Sequence, residues 1–188
     1  MKRITLLNGI NEDSTGFEGN LKKMIERQND QFVFDLFNLR DMPIHYCCGC
    51  WSCWVKTPGE CSQKDDMPII LKSILSSDLT LFISPIVMGF VSPLIKKIND
   101  KMIPLVHPYI ELVHGECHHK KRYSHYPKLG LVLVDQNIEE LAGLELITDS
   151  YQRLALNLKS AIAFVNYSAG SVEGMENEIK RFSRIAQG

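Results

Sequence analysis

Five short apolar runs, separated by longer mixed segments, constrain the fold of this chain more than any other feature of its sequence. Two polar residues, Asp35 and Asn38, interrupt the second run. Runs this short, without the alternation of a half-exposed strand, indicate strands that are buried on both faces. The runs are residues 4–7, 32–39, 79–83, 129–134 and 161–165.

The segments between these runs have the spacing of helices. Asp65 and Asp66, followed by Met67 and Pro68, indicate a helix start, because acidic residues suit the cap and proline suits the first turn. The alternation of strand and helix predicts an α/β domain, a parallel sheet with helices on both faces. At 188 residues the chain is expected to be one domain, residues 1–188. The clearest helical stripe is Leu144, Ile147, Tyr151, Leu154 and Leu158.

Charge and hydropathy exclude several classes of function. The 21 basic and 22 acidic side chains nearly cancel, so no overall field would hold nucleic acid or an anionic membrane. No window reaches the roughly 18 apolar residues of a membrane span. The start Met1-Lys2-Arg3 is not followed by the apolar run of a secretory signal. We therefore expect a cytoplasmic protein with neither nucleic acid nor membrane as a partner.

Three loops are expected to meet at one edge of the sheet, because the strand-to-helix turns of a parallel sheet lie at its carboxyl edge, where ligands bind. The first loop, residues 8–20, is rich in Gly, Ser and Asn and could hold a phosphate on backbone N–H groups. It also contains Glu12, Asp13 and Glu18, no Lys or Arg, and no GxGxxG spacing, so a plain surface loop stays open. The third loop, residues 84–92, is a Pro/Gly turn.

The second loop, residues 45–64, is a Cys-rich loop that contains five of the six cysteines, all within residues 47–61. Three closely spaced thiolates can wrap one face of an iron–sulfur cube, while the Pro58-Gly59 turn returns a fourth. Free thiols, a disulfide-capable pair such as Cys50 and Cys53, and a zinc site are the alternatives. Cys48 is spare in the cube arrangement. The four residues with cube spacing are Cys47, Cys50, Cys53 and Cys61.

Three motifs lie between the first strand and about residue 101. They are Leu7-Asn8-Gly9; Cys47-Cys48-Gly49-Cys50-Trp51-Ser52-Cys53 with Pro58-Gly59-Glu60-Cys61 and Asp65-Asp66-Met67; and Ser84-Pro85 with Gly89, Ser92, Lys96 and Asp100. Together they resemble the flavodoxin-like NAD(P)H-dependent FMN reductase family, and within it the iron–sulfur flavoprotein branch. The middle motif is the most specific. The resemblance implies a three-layer sandwich whose five parallel strands have the order 2-1-3-4-5.

The resemblance also implies FMN at the carboxyl edge, with its phosphate in the first loop and its ring against the third. NAD(P)H would give hydride to FMN, and electrons would then pass to a small-molecule or protein acceptor. If the four spaced cysteines hold a [4Fe-4S] cluster, the electrons would pass through it. No catalytic acid or base is required of the protein, because the chemistry belongs to the cofactor. The implied FMN contacts are Asn8, Gly9, Asn20, Ser84, Pro85, Val87 and Gly89.

A flavodoxin-like binding or redox-sensing module without bound flavin is the competing interpretation. It would use the Cys and His loops for metal or thiol chemistry. The acidic first loop favours it, and so does Val87, because the family commonly has an aromatic residue at that place.

Residues 104–127 form the one long stretch without a clear element, and they contain five of the six histidines. We expect an insertion that is a solvated or dimer-contact loop, away from the flavin edge. There are two alternatives. The segment could bind an anionic group through Lys120, Lys121 and Arg122, or it could bind a metal. A homodimer is expected, because such folds have aromatic-rich rims near the site. Asp135, at the end of the fourth predicted strand, indicates a turn.

Overall fold

The computed structural model describes residues 1–13, 16–134 and 144–185. The turn predicted at Asp135 lies outside these residues. The strands are β1 (Lys2–Asn8), β2 (Phe32–Asn38), β3 (Leu79–Val87), β4 (Phe90–Val91), β5 (Val106–Val113), β6 (Glu116–Lys121), β7 (Lys128–Val134) and β8 (Ile162–Ser168). The helices are α1 (Phe17–Gln28), α2 (Ser52–Val55), α3 (Met67–Ser76), α4 (Pro93–Asp100), α5 (Leu144–Asn157) and α6 (Glu173–Ile185).

Five parallel strands form the central sheet in the order β2-β1-β3-β7-β8. Since β7 and β8 are the fourth and fifth predicted strands, this is the order 2-1-3-4-5, and the predicted α/β fold is confirmed. The short strand β4 pairs antiparallel with the end of β3 and was not predicted. Asn8 pairs with both Asn38 and Ile83, so the ends of β1, β2 and β3 meet at one edge.

Two hydrophobic cores on opposite faces of the sheet produce three layers. Helices α1 and α6 cover one face, where Phe17 is fully buried. Helices α3, α4 and α5 cover the other face, where Ile95 and Tyr151 are buried. Successive residues of β1 enter opposite cores, Leu6 the first and Leu7 the second, as expected for a strand buried on both faces.

The predicted helix signals are confirmed at two places. Helix α3 begins at Met67, whose N–H donates a hydrogen bond to Asp65 Oδ1 at 3.0 Å, and Pro68 lies in its first turn. The structure describes helix α5 from Leu144 onward, and the residues of the predicted stripe that the helix buries are Leu144, Ile147 and Tyr151. Leu154 is half-buried, and Leu158 is buried just after the helix ends. Within the described ranges, no helix is long and apolar enough to cross a membrane.

The prediction of an irregular loop over residues 104–127 was wrong. Strands β5 and β6 form an antiparallel hairpin, which turns at His114 (φ 52°) and Gly115 (φ 82°). Two residues with positive φ are typical of tight hairpin turns, because their backbone twist matches that of the strands. The hairpin packs on α5, where His118 Nδ1 lies 3.1 Å from Asn157 Oδ1.

Candidate functional site

The buried side chain of Asn8 organises the first loop at the end of β1. Its Nδ2 donates hydrogen bonds to Glu18 Oε1 at 2.6 Å and to Asn38 Oδ1 at 3.1 Å. Its Oδ1 accepts one from the Ile10 N–H at 3.1 Å. The amide therefore ties the ends of β1 and β2 to the first turn of α1. Its role as an FMN contact stays a prediction.

Gly9 is required by a close approach between β1 and α4. A Cβ at this position would collide with the Ile95 side chain and lie 2.8 Å from Ser92 Oγ. The Gly9 N–H donates a hydrogen bond to the Ile83 carbonyl oxygen at 2.8 Å. The absence of a side chain at Gly9 thus allows the start of the first loop to pack against the first turn of α4.

The N-terminus of α1, to which the resemblance assigns the phosphate, is capped by a carboxylate of the protein itself. Asp13 Oδ1 accepts a hydrogen bond from the Phe17 N–H at 3.0 Å, and Asp13 Oδ2 accepts one from the Glu18 N–H at 3.0 Å. Helix N-termini attract anions, so Asp13 uses the donors that a phosphate would need. Asn20, in the same helix, is exposed.

Sequence reasoning missed Arg40, which lies in a 3-10 turn (Leu39–Asp41) directly after β2. Its Nη2 donates a hydrogen bond to Glu18 Oε2 at 2.8 Å, and its Nη1 contacts Glu18 Oε1 and donates to the Ile10 carbonyl oxygen at 3.1 Å. The hydrogen bond from Arg40 lowers the pKa of Glu18, and the same bond raises the pKa of Arg40. A cation from the turn after β2 therefore offsets one of the acidic residues of the first loop.

The third loop is a tight hairpin. Strand β3 continues through Pro85 to Val87, and Met88 (φ 50°) and Gly89 (φ 75°) form the turn into β4. Gly89 is thus needed for its left-handed backbone. The side chain of Met88 is fully exposed and that of Val87 is 40% exposed, so the hairpin tip is an apolar surface.

Ser84 fixes the base of this hairpin. Its side chain is buried, and its Oγ accepts a hydrogen bond from the Ser92 N–H at 2.7 Å and donates one to the Pro85 carbonyl oxygen at 2.8 Å. Ser92 Oγ in turn accepts from the Ile95 N–H at 3.3 Å and caps α4. The predicted FMN roles of Ser84, Pro85, Val87 and Gly89 stay predictions.

The five clustered cysteines line one cavity, which we call the thiol cavity. All are free; Cys53 and Cys61 are half-buried, and the other three are exposed. The cavity has a volume of about 30 Å³, room for about two water molecules. In the part of the chain that the structure describes, no three His, Cys, Asp or Glu side chains are placed as metal ligands. The loop therefore brings the donors to one place without closing them on an ion.

The thiols differ in their surroundings. Burial raises the pKa of Cys53, and the neighbouring thiolates of Cys61, Cys47 and Cys50 raise it further. Hydrogen bonds from Ser52 lower the pKa of Cys50 to about 6, with a further contribution from Ser62, whose Oγ lies 3.6 Å from its sulfur.

A buried ion pair lies beside the thiol cavity, which Lys101 lines. The ammonium of Lys101 contacts Asp65 Oδ2, and both side chains are 1% exposed. Asp65 also accepts a hydrogen bond from the His45 N–H at 2.9 Å. Lys101 donates a second hydrogen bond, to Gln63 Oε1 at 3.0 Å. This pair therefore holds both ends of the Cys-rich loop and places a positive charge beside the thiols.

Both tryptophans of the loop connect it to the histidine-rich hairpin. Trp51 stacks on Trp54 with ring centroids 4.9 Å apart, and Trp54 contacts the ring of His119 at the same centroid distance. Trp54 Nε1 donates to the carbonyl oxygens of Ile103 at 3.1 Å and Val106 at 3.0 Å. The hairpin thus packs against the Cys-rich loop.

The comparisons with known proteins agree with this architecture. The family model of the NADPH-dependent FMN reductases matches residues 2–116, more than half of the chain. The chain therefore belongs to this family, which is a class of flavodoxin-like, FMN-reductase-like oxidoreductases.

Among curated proteins, the chain is similar to an iron-sulfur flavoprotein of Archaeoglobus fulgidus, with 33% identity over 94 residues. The matched region is 47% of this chain and 42% of that protein, so the chain matches less than half of that protein's length.

Two solved structures show the same fold at low identity. An azoreductase from Bacillus anthracis has a TM-score of 0.59 and 10% identity, with 98% of this chain and 93% of that one covered. An NAD(P)H:quinone oxidoreductase from Methanothermobacter marburgensis has a TM-score of 0.57 and 12% identity, with 97% and 96% covered.

Proposed function

We propose that this protein is an NADPH-dependent oxidoreductase with FMN at the carboxyl edge of its sheet and a [4Fe-4S] cluster on the Cys-rich loop. The observation that carries the proposal is that all four cysteines with cube spacing line one cavity. Family membership and the iron-sulfur flavoprotein relative support it. The ligands would be Cys47, Cys50, Cys53 and Cys61.

The donor set fits such a cluster in its chemistry, and the loop gathers it around one cavity. Thiolates are the ligands of iron–sulfur cubes, and four of them face one cavity here. The present cavity is too small for a cube, so loading requires the loop to open, which the exposure of Cys47 and Cys50 permits. Bound FMN would exchange electron pairs with a nicotinamide, and a bound cluster would exchange single electrons.

At the flavin edge, the first loop would supply backbone N–H groups and Arg40 would supply the positive charge for the FMN phosphate. This requires Asp13 to leave the N-terminus of α1. Ser84 and Gly89 would shape the third loop under the flavin ring. The electron acceptor, the homodimer and the cytoplasmic location that we expect from the sequence remain part of the proposal.

Purification without oxygen, followed by an absorption spectrum and iron, sulfide and FMN analysis, tests the proposal. We expect FMN together with about four iron atoms per chain. Serine substitution of Cys47, Cys50, Cys53 or Cys61 should remove most of the iron. Cys48→Ser, in the same cavity, and Cys117→Ser, in the hairpin, should retain it. A colourless protein that takes up neither added FMN nor iron would overturn the proposal.

A flavin-free module is the second candidate, and the Asp13 cap on α1 favours it. Titration of FMN against the protein, followed by quenching of flavin fluorescence, separates the two. Saturable FMN binding that becomes weaker in the Arg40→Gln variant supports the proposal of an oxidoreductase. The absence of binding with an intact fold supports the module.

A further inference from the structure

Cys48 is the clustered cysteine that the proposed ligand set leaves unused, and it lies beside one of the proposed ligands. Its thiol forms a hydrogen bond with the thiol of Cys50. Both side chains are exposed, and both line the thiol cavity. The two sulfurs are therefore within reach of each other and accessible to a small reagent in solution.

The backbone between these two cysteines is bent, as a disulfide bond between them requires. A disulfide needs Cα atoms about 4.4–6.8 Å apart, and a fully extended chain sets residues two apart at up to about 7 Å. Gly49 has a positive φ of 65°, which bends the chain between the cysteines. A Cβ on Gly49 would meet no described atom within 4 Å beyond its chain neighbours, so this glycine serves the bend and not close packing.

Neighbouring side chains hold the two thiols in place. Gln63 Nε2 lies 4.0 Å from the Cys48 sulfur, and Ser62 Oγ lies 3.6 Å from the Cys50 sulfur. Gln63 is itself fixed by the hydrogen bond that the buried ammonium beside the cavity donates to it. Cys53, in contrast, is half-buried on α2. The structure therefore favours Cys48 over Cys53 as the partner of Cys50.

We propose that Cys48 and Cys50 form a reversible disulfide bond when the chain holds no cluster and meets a peroxide. This modification goes beyond the proposed function, because it requires neither FMN nor iron. It also gives Cys48 a role that the cube arrangement does not. The disulfide withdraws Cys50 from the four cluster ligands, and a thiol reductant returns it.

The oxidation balances with hydrogen peroxide as the oxidant. Peroxide converts one of the two thiols to a sulfenic acid and releases one water molecule. The other thiol then attacks that sulfur, so the S–S bond forms, the S–O bond breaks and a second water molecule leaves. The two cysteines together lose two electrons and two protons, which peroxide takes up.

The test locates the disulfide on the full chain, from which a chelator and a thiol reductant have been removed after use. Hydrogen peroxide is added in about tenfold molar excess, and the remaining thiols are blocked with iodoacetamide. The disulfide is then reduced, and the released thiols are labelled with N-ethylmaleimide. Fragmentation of the tryptic peptide of residues 41–56, which contains four of the clustered cysteines, shows which residues carry this label. We expect the loss of two of the six thiols, with the label at Cys48 and Cys50.

Serine substitutions separate this pair from the other pairs of the loop. Cys48→Ser and Cys50→Ser should each abolish the disulfide. Cys53→Ser, in the same cavity, and Cys117→Ser, in the hairpin, are matched controls and should leave its yield unchanged.

A backbone substitution tests the bend between the two thiols. Gly49→Val keeps both thiols, but a β-branched residue resists a positive φ, so the disulfide should form about three- to tenfold more slowly. Gly115→Val is the matched control, because Gly115 has a similar φ of 82° and a Cβ there also meets no described atom within 4 Å. It should leave the rate unchanged.

The outcomes separate this inference from the proposed function. A folded chain that keeps all its thiols, loses them without a recoverable disulfide, or carries the label at any other pair overturns the inference. The label at Cys48 and Cys50 supports it. Uptake of FMN and iron is measured separately on the reduced chain. If the reduced chain takes up neither, the proposed function fails, and the disulfide stands as a thiol modification alone.

Discussion

The first loop and the Cys-rich loop both follow strands of the same sheet, but they use their polar groups in opposite ways. In the first loop, Asn8, Asp13, Glu18 and Arg40 bond to one another and to nearby backbone groups. In the Cys-rich loop one buried ion pair holds the base, and the thiols face a cavity. The first loop must therefore exchange internal partners to bind a ligand, whereas the second must open.

Breaking the buried ion pair should have the largest effect. Lys101→Met leaves the Asp65 carboxylate buried and unpaired, which should cost about 3–5 kcal/mol of the free energy of unfolding. The loss is measured as the difference between the free energies of unfolding of the variant and the unchanged protein in urea. Lys96→Met is the matched control, because its partner Asp100 is 45% exposed, and it should cost less than about 0.5 kcal/mol. Equal losses in the two variants would contradict a structural role for the pair.

Gly9→Ala tests the packing of the first loop against α4. The added methyl group collides with Ile95, so we expect a loss of about 1–3 kcal/mol in thermal or urea unfolding. Gly19→Ala, where a Cβ meets nothing within 4 Å in α1, should instead stabilise the protein by about 0.5–1 kcal/mol. A neutral Gly9→Ala would show that the close approach of β1 to α4 does not require a glycine.

Asp13→Asn would sharpen the contrast between the loops, because it keeps a capping oxygen and removes the negative charge from the N-terminus of α1. Stability should fall by about 1–2 kcal/mol, because asparagine offers one accepting oxygen where Asp13 accepts with two, so one backbone N–H loses its partner. FMN affinity should rise about three- to tenfold, a difference of about 1 kcal/mol. Glu12→Gln, an exposed acid of the same loop, is the control. Equal gains from both variants would indicate a general charge effect and not the cap.

The pair of Glu18 and Arg40 should have the smallest effect, and it depends on pH. The pKa of Glu18 is lowered in the folded chain, so the pair stabilises the fold above the ordinary value of 4.5 and loses this contribution as pH falls through the lower folded value. Both partners are partly exposed, which limits it to about 0.5–1 kcal/mol. Glu18→Gln should therefore be destabilising at pH 7 and less so below pH 4.5. Glu26→Gln, at an exposed position of α1, is the matched control and should change the free energy of unfolding at pH 7 by less than about 0.5 kcal/mol.

The sequence predicted the sheet because burial on both faces leaves a local pattern, the short apolar run. It did not predict the β5–β6 hairpin, because those strands are largely exposed and contain Pro108, so neither alternation nor a continuous run marks them. The convergence of the cysteines was predictable from spacing, since a short loop keeps them together.

The charged partners were harder to predict, because they depend on how elements pack. Lys101 meets Asp65 across 36 residues, because the end of α4 and the start of α3 lie on the same face of the sheet. Arg40 reaches the first loop because parallel pairing of β1 with β2 sets Asn8 beside Asn38, a signal that the predicted strand order contained. Asp13 could be predicted as a capping residue, but its use of both Phe17 and Glu18 follows from the path of the loop.

The stacked rings of Trp51 and Trp54 have a practical consequence, because they are the only two tryptophans in the chain. Emission excited at 295 nm therefore comes from the Cys-rich loop, and the rest of the molecule contributes almost nothing to it. Opening of that loop, docking of the His119 hairpin and arrival of a coloured cofactor can each be followed on the unlabelled protein, in real time and at micromolar concentration.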